Sequence, residues 1–174
     1  MPADHQHHPL RLRQPRHKPD PRARRWWTVQ ALVLPSGPML LVAASLFVLS
    51  LLFFPGALPW LGPLLAVLTV GALGYLLVMP RWRYRVHAWE LGEHAVYAAS
   101  GWFWQKRRIT PLSRVQTVDT VRGPIQQAFG LATVTVTTAS SAGSVKIAGL
   151  SAADAETLAR RISDAAQLVP GDAA

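Results

Sequence analysis

Hydrophobic residues are concentrated in one long block, which is followed by a region of short alternating patterns. From Trp26 to Pro80 there are 55 consecutive residues without Asp, Glu, Lys, Arg or His. A bilayer core about 30 Å thick needs about 20 apolar helical residues, so this block is long enough for two spans. Because Pro55-Gly-Ala-Leu-Pro59 interrupts helical continuity, the pattern predicts a hairpin of two transmembrane helices over 34–54 and 61–79.

Prolines and small residues modify this predicted hairpin. Pro35, Gly37 and Pro38 are expected to kink the entry to the first span or to move its start to near Met39. In the second span, the small residues that offer surfaces for packing between the helices are Ala66, Gly71, Ala72 and Gly74.

After Arg85 the pattern changes to the period of two residues that is typical of strands. Six short strands are predicted, over 84–90, 94–99, 101–109, 115–121, 133–138 and 144–148. Ser151 followed by Asp154 resembles a capping box at the start of a helix. The apolar stripe of that helix is Ala155, Leu158, Ile162, Ala165, Ala166 and Val169. The C-terminal region is therefore predicted to be a β-rich domain, a curved barrel with one helix packed on its open end.

The net charge of +9 belongs mainly to the two ends of the apolar block. Residues 1–27 hold seven Lys and Arg against Asp4 and Asp20, three arginines follow within 81–85, and residues 86–174 are nearly neutral. The hairpin turn carries no charge, so the positive-inside rule places both termini in the cytoplasm. The chain is thus predicted to be a multi-pass protein of the cytoplasmic membrane in contact with membrane lipids, and no nucleic-acid partner is expected.

Tryptophan favours the headgroup region of a bilayer. Trp26, Trp27 and Trp82 lie next to the basic clusters, and Trp60 lies at the hairpin turn. These four indoles are predicted to mark the two membrane interfaces; the alternative is that they are ordinary buried aromatic residues. Residues 1–27 lack apolar periodicity and are predicted to form a disordered, basic cytoplasmic tail.

The sequence offers little for catalysis or metal binding. It contains no cysteine, which excludes disulfides and thiolate ligands, and no G-x-S-x-G, Walker or dinucleotide-binding motif. His87 and His94 are the only histidines of the C-terminal region. Beside Glu90 and Glu93 they are more typical of a surface cluster than of a catalytic or metal site. We therefore expect no enzyme activity, no cofactor and no bound metal.

Several segments carry a family resemblance. They are Tyr84-Arg-Val, Gly101, Arg107-Arg-Ile-Thr-Pro-Leu-Ser-Arg-Val-Gln-Thr-Val-Asp119, Gly123-Pro-Ile-Gln-Gln-Ala-Phe-Gly-Leu-Ala-Thr-Val-Thr-Val136 and Ile147-Ala-Gly-Leu-Ser151. Over residues 81–168 the chain resembles the YdbS-like bacterial pleckstrin-homology (PH) domains, also called membrane-flanked domains. It departs from their pattern at Gln127, where an arginine is common before the Phe-Gly pair.

The resemblance implies a PH-like fold of two curved sheets with a C-terminal helix, and a membrane-associated, non-enzymatic role. The chain then divides into a tail over 1–27, a transmembrane hairpin over 28–80, a PH-like domain over 81–169 and a short tail over 170–174. The family-motif residues have a structural interpretation as turn, strand-end and packing positions: Pro111, Arg114, Gln116, Gly123, Pro124, Phe129 and Gly130. Arg114 and Gln116 are expected to satisfy backbone carbonyls, and Phe129 to close the barrel core.

The predicted strand 101–109 has two faces of mixed character. Alternation places on one side Trp102, Trp104, Lys106 and Arg108. Indoles followed by cations suit a bilayer interface, so this side is predicted to face the membrane or a partner beside it. The alternative is that both tryptophans belong to the core and the cations are solvated.

Two kinds of function follow from these features. The first hypothesis is a membrane-anchored interaction module whose PH-like domain binds a membrane protein partner or its own copies. The alternative is a module that senses anionic lipid, although Lys106-Arg-Arg108 is the sole basic cluster of a nearly neutral domain. A third, weaker hypothesis is an accessory subunit of an exporter or envelope-stress system.

Overall fold

A computed structural model describes residues 15–139 and 143–168 of the chain. A helical hairpin is followed by two three-stranded sheets and a C-terminal helix. The helices are α1 (Arg22–Ala31), α2 (Gly37–Phe53), α3 (Leu58–Val86), α4 (Pro124–Ala128) and α5 (Ala152–Leu168). The strands are β1 (Ala88–Leu91), β2 (Ala95–Gly101), β3 (Gln105–Pro111), β4 (Val115–Val121), β5 (Leu131–Thr138) and β6 (Val145–Ser151).

The hairpin consists of two apolar helical stretches, Arg22–Phe53 and Pro55–Val86, of 32 residues each. Most of their large apolar side chains are exposed in the isolated chain, as expected for helices surrounded by lipid. On α3, Trp60 and Trp82 are separated by about 33 Å at 1.5 Å per residue, which matches the thickness of a bilayer core of about 30 Å. The predicted two-span hairpin is confirmed, and both of its helices extend beyond the predicted spans.

The two membrane helices pack along a narrow seam. Its buried residues recur every seven positions on both sides, at Ser36, Ala43 and Ser50, and at Leu65, Ala72 and Met79. A seven-residue repeat keeps one face of each helix towards its partner, and the small side chains on the first side allow close approach. Of the small residues predicted to pack here, only Ala72 does; Ala66, Gly71 and Gly74 are exposed. For those three residues the prediction was wrong.

One interpretation of the prolines predicts that the first helix starts near Met39. This prediction was wrong. A π-helical turn over Leu32–Ser36 joins α1 to α2, so the helix is continuous from Arg22. This turn accommodates Pro35, which lacks the N–H of an ordinary helical residue. Gly37 is needed beside it, because a Cβ atom there would overlap the carbonyl of Leu32.

Part of the segment that was predicted to be disordered is ordered. His17 pairs with Trp89 of β1 through two backbone hydrogen bonds of 3.0 and 2.9 Å, and their rings stack at 4.7 Å. Residues 22–27 belong to α1. Residues 1–14 of the predicted tail lie outside the described residues. The segment from 15 to 27 is therefore a part of the folded domain rather than a free tail.

The C-terminal domain contains two antiparallel meanders, with strand orders β1-β2-β3 and β4-β5-β6. The six predicted strands are present, but residues 84–86 belong to α3, and the sheets do not close into a barrel. α5 starts as predicted, because the N–H of Asp154 donates to Ser151 Oγ at 3.1 Å. The core between the sheets and this helix is formed by Val96, Ala98, Leu112, Ala132, Val134, Val136, Val145, Ile147, Leu150, Ala155, Leu158 and Ile162.

The seam gives a test of the hairpin packing. We expect Ala72→Leu to lower the free energy of unfolding of the purified chain by about 1–3 kcal/mol, because the larger side chain overpacks the seam. Gly71→Leu is the matched control, because a Cβ atom there meets nothing within 4 Å. Unfolding in mixed micelles of increasing SDS content measures both variants. Equal loss of stability in the two variants would contradict the assigned seam.

Candidate membrane-facing surface

The turn between β2 and β3 presents three consecutive aromatic residues, Trp102, Phe103 and Trp104, here called the aromatic tip. Gly101 and Gln105 pair at the end of the hairpin. Gly101 has φ +122, and a Cβ atom there would overlap the carbonyl oxygen of Trp104, so this tight turn requires glycine. The side chains of the aromatic tip are 37%, 73% and 77% exposed, respectively. Such a run of exposed rings is unusual for a surface in contact with water alone.

The aromatic tip touches the second membrane helix. The rings of Trp102 and Tyr75 meet edge to face, with centroids 5.4 Å apart and planes at 89°. Tyr75 lies four residues before Met79 near the end of the apolar block, which is about 6 Å along the helix. The tip therefore lies alongside the apolar part of the second membrane helix.

The predicted face of the strand 101–109 is only partly reproduced. Trp102 and Trp104 lie in the turn, whereas Lys106 and Arg108 lie on β3, opposite Ser100 and Ala98 of β2. Both tryptophans lie outside the core between the sheets, and outside the second hydrophobic cluster of the described residues, which is formed by Ala23, Trp26, Trp27 and Leu131. The structure therefore gathers these four residues on one β-hairpin but not on one face of a strand.

Basic side chains surround the base of the aromatic tip in two depressions. The first, here called the outer groove, has a volume of about 350 Å³ and is lined by Trp82, Lys18, Arg85, Lys106 and Arg107, among others. Lys18 Nζ donates to the carbonyl of Arg85 at 2.9 Å, which holds the N-terminal segment against the end of α3. Among the described residues, no Asp or Glu lines this groove.

The second depression, here called the basic cleft, lies on the other side of the hairpin. It has a volume of about 490 Å³, and its cations are Arg83, Lys106, Arg108 and Lys146. Among the described residues, no carboxylate lines it either. Both depressions therefore carry net positive charge near the end of the second membrane helix.

Docking of α1 on the C-terminal domain fixes this arrangement. Trp27 is fully buried, at 4.9 Å from the ring of His87, and the Arg83 guanidinium lies 5.0 Å from its ring centre. Close approach depends on Gly149, which has φ +80 and whose Cβ would lie 2.8 Å from the Cβ of Ala23. Trp26 and Trp27 are thus buried aromatic residues, and their prediction as interface markers was wrong. Trp60 and Trp82 remain exposed.

The family-motif glycines and Pro124 shape the segment between β4 and β5. Gly123 starts α4, its N–H donates to Gln126 Oε1 at 3.0 Å, and Pro124 occupies the first helical turn. Gly130 has φ +64, and its carbonyl accepts from the N–H of Ala152 at 3.0 Å. Phe129 was expected in the core between the sheets. It packs instead against the second hydrophobic cluster, which contains Trp27.

The other motif residues lie at the ends and edges of strands. Pro111 is the last residue of β3. Arg114 and Gln116 are exposed, and their side chains make no hydrogen bond among residues 15–139 and 143–168, so the expected carbonyl contacts are not observed. Gln116 lies at a register irregularity between β4 and β5.

Sequence reasoning missed several residues of this surface. From the sequence, Arg83 is assigned to the topology signal and His87 to a surface cluster. The structure brings them together at the end of α3, where the backbone N–H of His87 donates to the Arg83 carbonyl at 3.0 Å. Lys146 carried no local signal, because its position depends on the pairing of β6 with β5. Tyr75 was recognisable only as the most polar ring of the second span.

These features define a membrane protein that carries a PH domain at the end of a two-helix hairpin. The family model described as Bacterial PH domain matches residues 37–166, most of the chain including both membrane helices. The chain therefore belongs to the bacterial PH domain family.

At the level of single proteins, the chain is similar to the UPF0699 transmembrane protein YdbS of Bacillus subtilis (strain 168). The two are 34% identical over 161 residues, which covers 91% of this chain and 98% of that protein. No solved structure matches. The family inferred from the sequence motifs is confirmed.

His87 makes the docking of α1 sensitive to pH. Its Nδ1–H donates to the Arg83 carbonyl at 2.8 Å, and burial lowers the pKa of His87 to about 4, to which the nearby Arg83 charge contributes. The unfolded chain takes up this proton near pH 6.5, whereas the folded chain takes it up near pH 4. The free energy of unfolding should therefore fall by about 3 kcal/mol as the pH decreases through this window.

The variant His87→Gln should remove that part of the pH dependence, whereas the exposed His94→Gln should retain it. Denaturant unfolding of the full chain in detergent, followed by near-UV circular dichroism between pH 7.5 and 4, measures the difference. If the pH dependence of His87→Gln equals that of the unmodified chain, His87 does not titrate as assigned.

Proposed function

We propose that this protein is a non-enzymatic, membrane-anchored interaction module that holds its PH domain against the membrane surface with the aromatic tip inserted among the lipids. The observation that carries the proposal is the contact between Trp102 and Tyr75 of the second membrane helix. Phe103 and Trp104 extend the tip and leave most of their ring surface exposed. Aromatic rings with this exposure are stabilised at the level of lipid headgroups.

The basic side chains beside the tip support the same orientation. Lys106, Arg107 and Arg85 line the outer groove next to the exposed ring of Trp82. Each such cation contributes about 1 kcal/mol near an anionic leaflet, and this contribution is screened within a Debye length. A surface of rings and cations binds lipid, and we assign it no catalytic step.

Among the functions considered from the sequence, this geometry favours the module that interacts with anionic lipid. A membrane protein partner, self-association and an accessory role in an exporter or envelope-stress system stay predictions, because no described surface favours one of them. We further propose that the protein is multi-pass with both termini in the cytoplasm, since both ends of the hairpin are basic and its turn is not.

Insertion of the tip is testable by depth measurement, because the chain contains no cysteine. We expect an environment-sensitive fluorophore on Phe103→Cys, in the full chain reconstituted in anionic vesicles, to be quenched by lipids that carry a spin label near the headgroup. The same fluorophore on Glu93→Cys is the matched control, because it lies in the turn at the opposite end of β2. Equal, water-like spectra and no quenching at both sites would contradict the proposal.

The topology is also testable with single cysteines in this cysteine-free chain. Gly56→Cys lies in the hairpin turn and Glu93→Cys lies in the PH domain. In intact cells, we expect a membrane-impermeant maleimide to label Gly56→Cys and to leave Glu93→Cys unlabelled until the cells are broken. The reverse pattern would overturn the proposed orientation while leaving the insertion of the tip open to the first test.

A further inference from the structure

The basic cleft gathers cations from three separate elements of the fold. Arg83 comes from the end of α3, Lys106 and Arg108 from β3, and Lys146 from β6. In sheet register Lys106 lies opposite Ser100, and Lys146 opposite Thr135, so each of these two cations has a hydroxyl-bearing residue as its cross-strand neighbour. A cavity of this size is within the range of about 300–1,000 Å³ that is typical of small-molecule sites.

No carboxylate of the described residues neutralises the charges of this cleft. Within residues 15–139 and 143–168, Arg83, Lys106 and Lys146 form no salt bridge and no side-chain hydrogen bond. Arg108 donates through Nη1 to the Ser144 carbonyl at 3.0 Å and keeps its other N–H groups for a further acceptor. The guanidinium of Arg83 is half-buried beside the Trp27 ring and has no anionic partner among the described residues.

A neutral donor also points to an anionic ligand. Gln126 Nε2 donates to Thr133 Oγ1 at 2.8 Å, so this hydroxyl oxygen acts as an acceptor towards the protein. The hydroxyl hydrogen of Thr133 remains to be donated. Since both Gln126 and Thr133 line the cleft, its wall carries a hydroxyl group that can donate to a ligand, in addition to its cations.

We propose that the basic cleft binds the phosphate group of an anionic lipid headgroup, with Arg83, Lys106 and Lys146 as its ion-pair partners. The position along α3 identifies the source of the phosphate. Arg83 follows Tyr75 by eight residues, or about 12 Å along the helix, so the cleft lies at headgroup depth when the aromatic tip is inserted. The inference rests on the proposed function for this depth alone; the anion site itself follows from the unpaired cations.

The test is native mass spectrometry of the full chain in detergent, with phosphatidic acid, phosphatidylglycerol or phosphatidylcholine added. We expect one bound anionic lipid per chain, and an affinity about tenfold or more lower for Lys146→Gln, because a charge-assisted hydrogen bond is lost. Lys146 is exposed and has no hydrogen-bond or salt-bridge partner among the residues that the structure describes, so this variant should fold normally. Arg160→Gln is the matched control, because it also removes one exposed charge, but on α5, which lines neither the cleft nor the outer groove.

The outcomes of these measurements either support or overturn the lipid site. Binding of anionic lipid that is weakened by Lys146→Gln and not by Arg160→Gln supports the site. Equal weakening by both variants, or equal binding of phosphatidylcholine, overturns it in favour of general surface charge. A parallel titration with inorganic phosphate distinguishes the sources: saturation below 1 mM that depends on Lys146 supports the anion site but overturns its assignment to lipid. Failure of tip insertion in the vesicle measurement leaves these affinities unaffected, so the two proposals fail separately.

Discussion

The burial of Trp27 against Arg83 and His87 is the interaction on which the arrangement of this molecule depends. It joins α1, which continues into the first membrane helix, to the end of the second membrane helix and to the PH domain. Because the ring is fully buried, its removal from water stabilises this junction by several kcal/mol on an area basis. The domain is therefore held in one orientation instead of being tethered by a loose linker.

That orientation decides which residues of the domain lie beside the second membrane helix. With α1 seated on Gly149 and Leu131, the hairpin of β2 and β3 is directed along α3, and its turn reaches Tyr75. The same junction brings the guanidinium of Arg83 beside the strands that carry Lys106 and Lys146. The position of the aromatic tip beside α3 and the presence of Arg83 in the basic cleft thus both follow from the packing of Trp27.

The cleft also differs in kind from the core beside it. The core between the sheets is apolar and closely packed, and its buried residues need no external partner. In the cleft, like charges converge without a carboxylate among the described residues, which costs free energy in the unliganded protein. An arrangement of that sort is more readily explained by binding of an anion than by stability of the fold.

The sequence by itself determined the elements and their class. A stretch of 55 uncharged residues is long enough for two membrane helices, alternating patterns define the strands, and Ser151 with Asp154 starts α5. These features are local, because they depend on periodicity, on chain length or on a hydrogen bond between near neighbours. The motifs from residue 107 onwards were sufficient to indicate the family.

Only the tertiary structure decided what the elements meet. Trp26 and Trp27 have the sequence context of interface residues, yet they are buried because α1 docks on β6 and Leu131. Arg83 and Lys146 are distant in the sequence and become neighbours of one cleft through sheet pairing and through the docking of α3. Hydrophobic periodicity specifies which face of an element is apolar, whereas the identity of the element that covers this face depends on long-range packing, for which a single sequence carries no local signal.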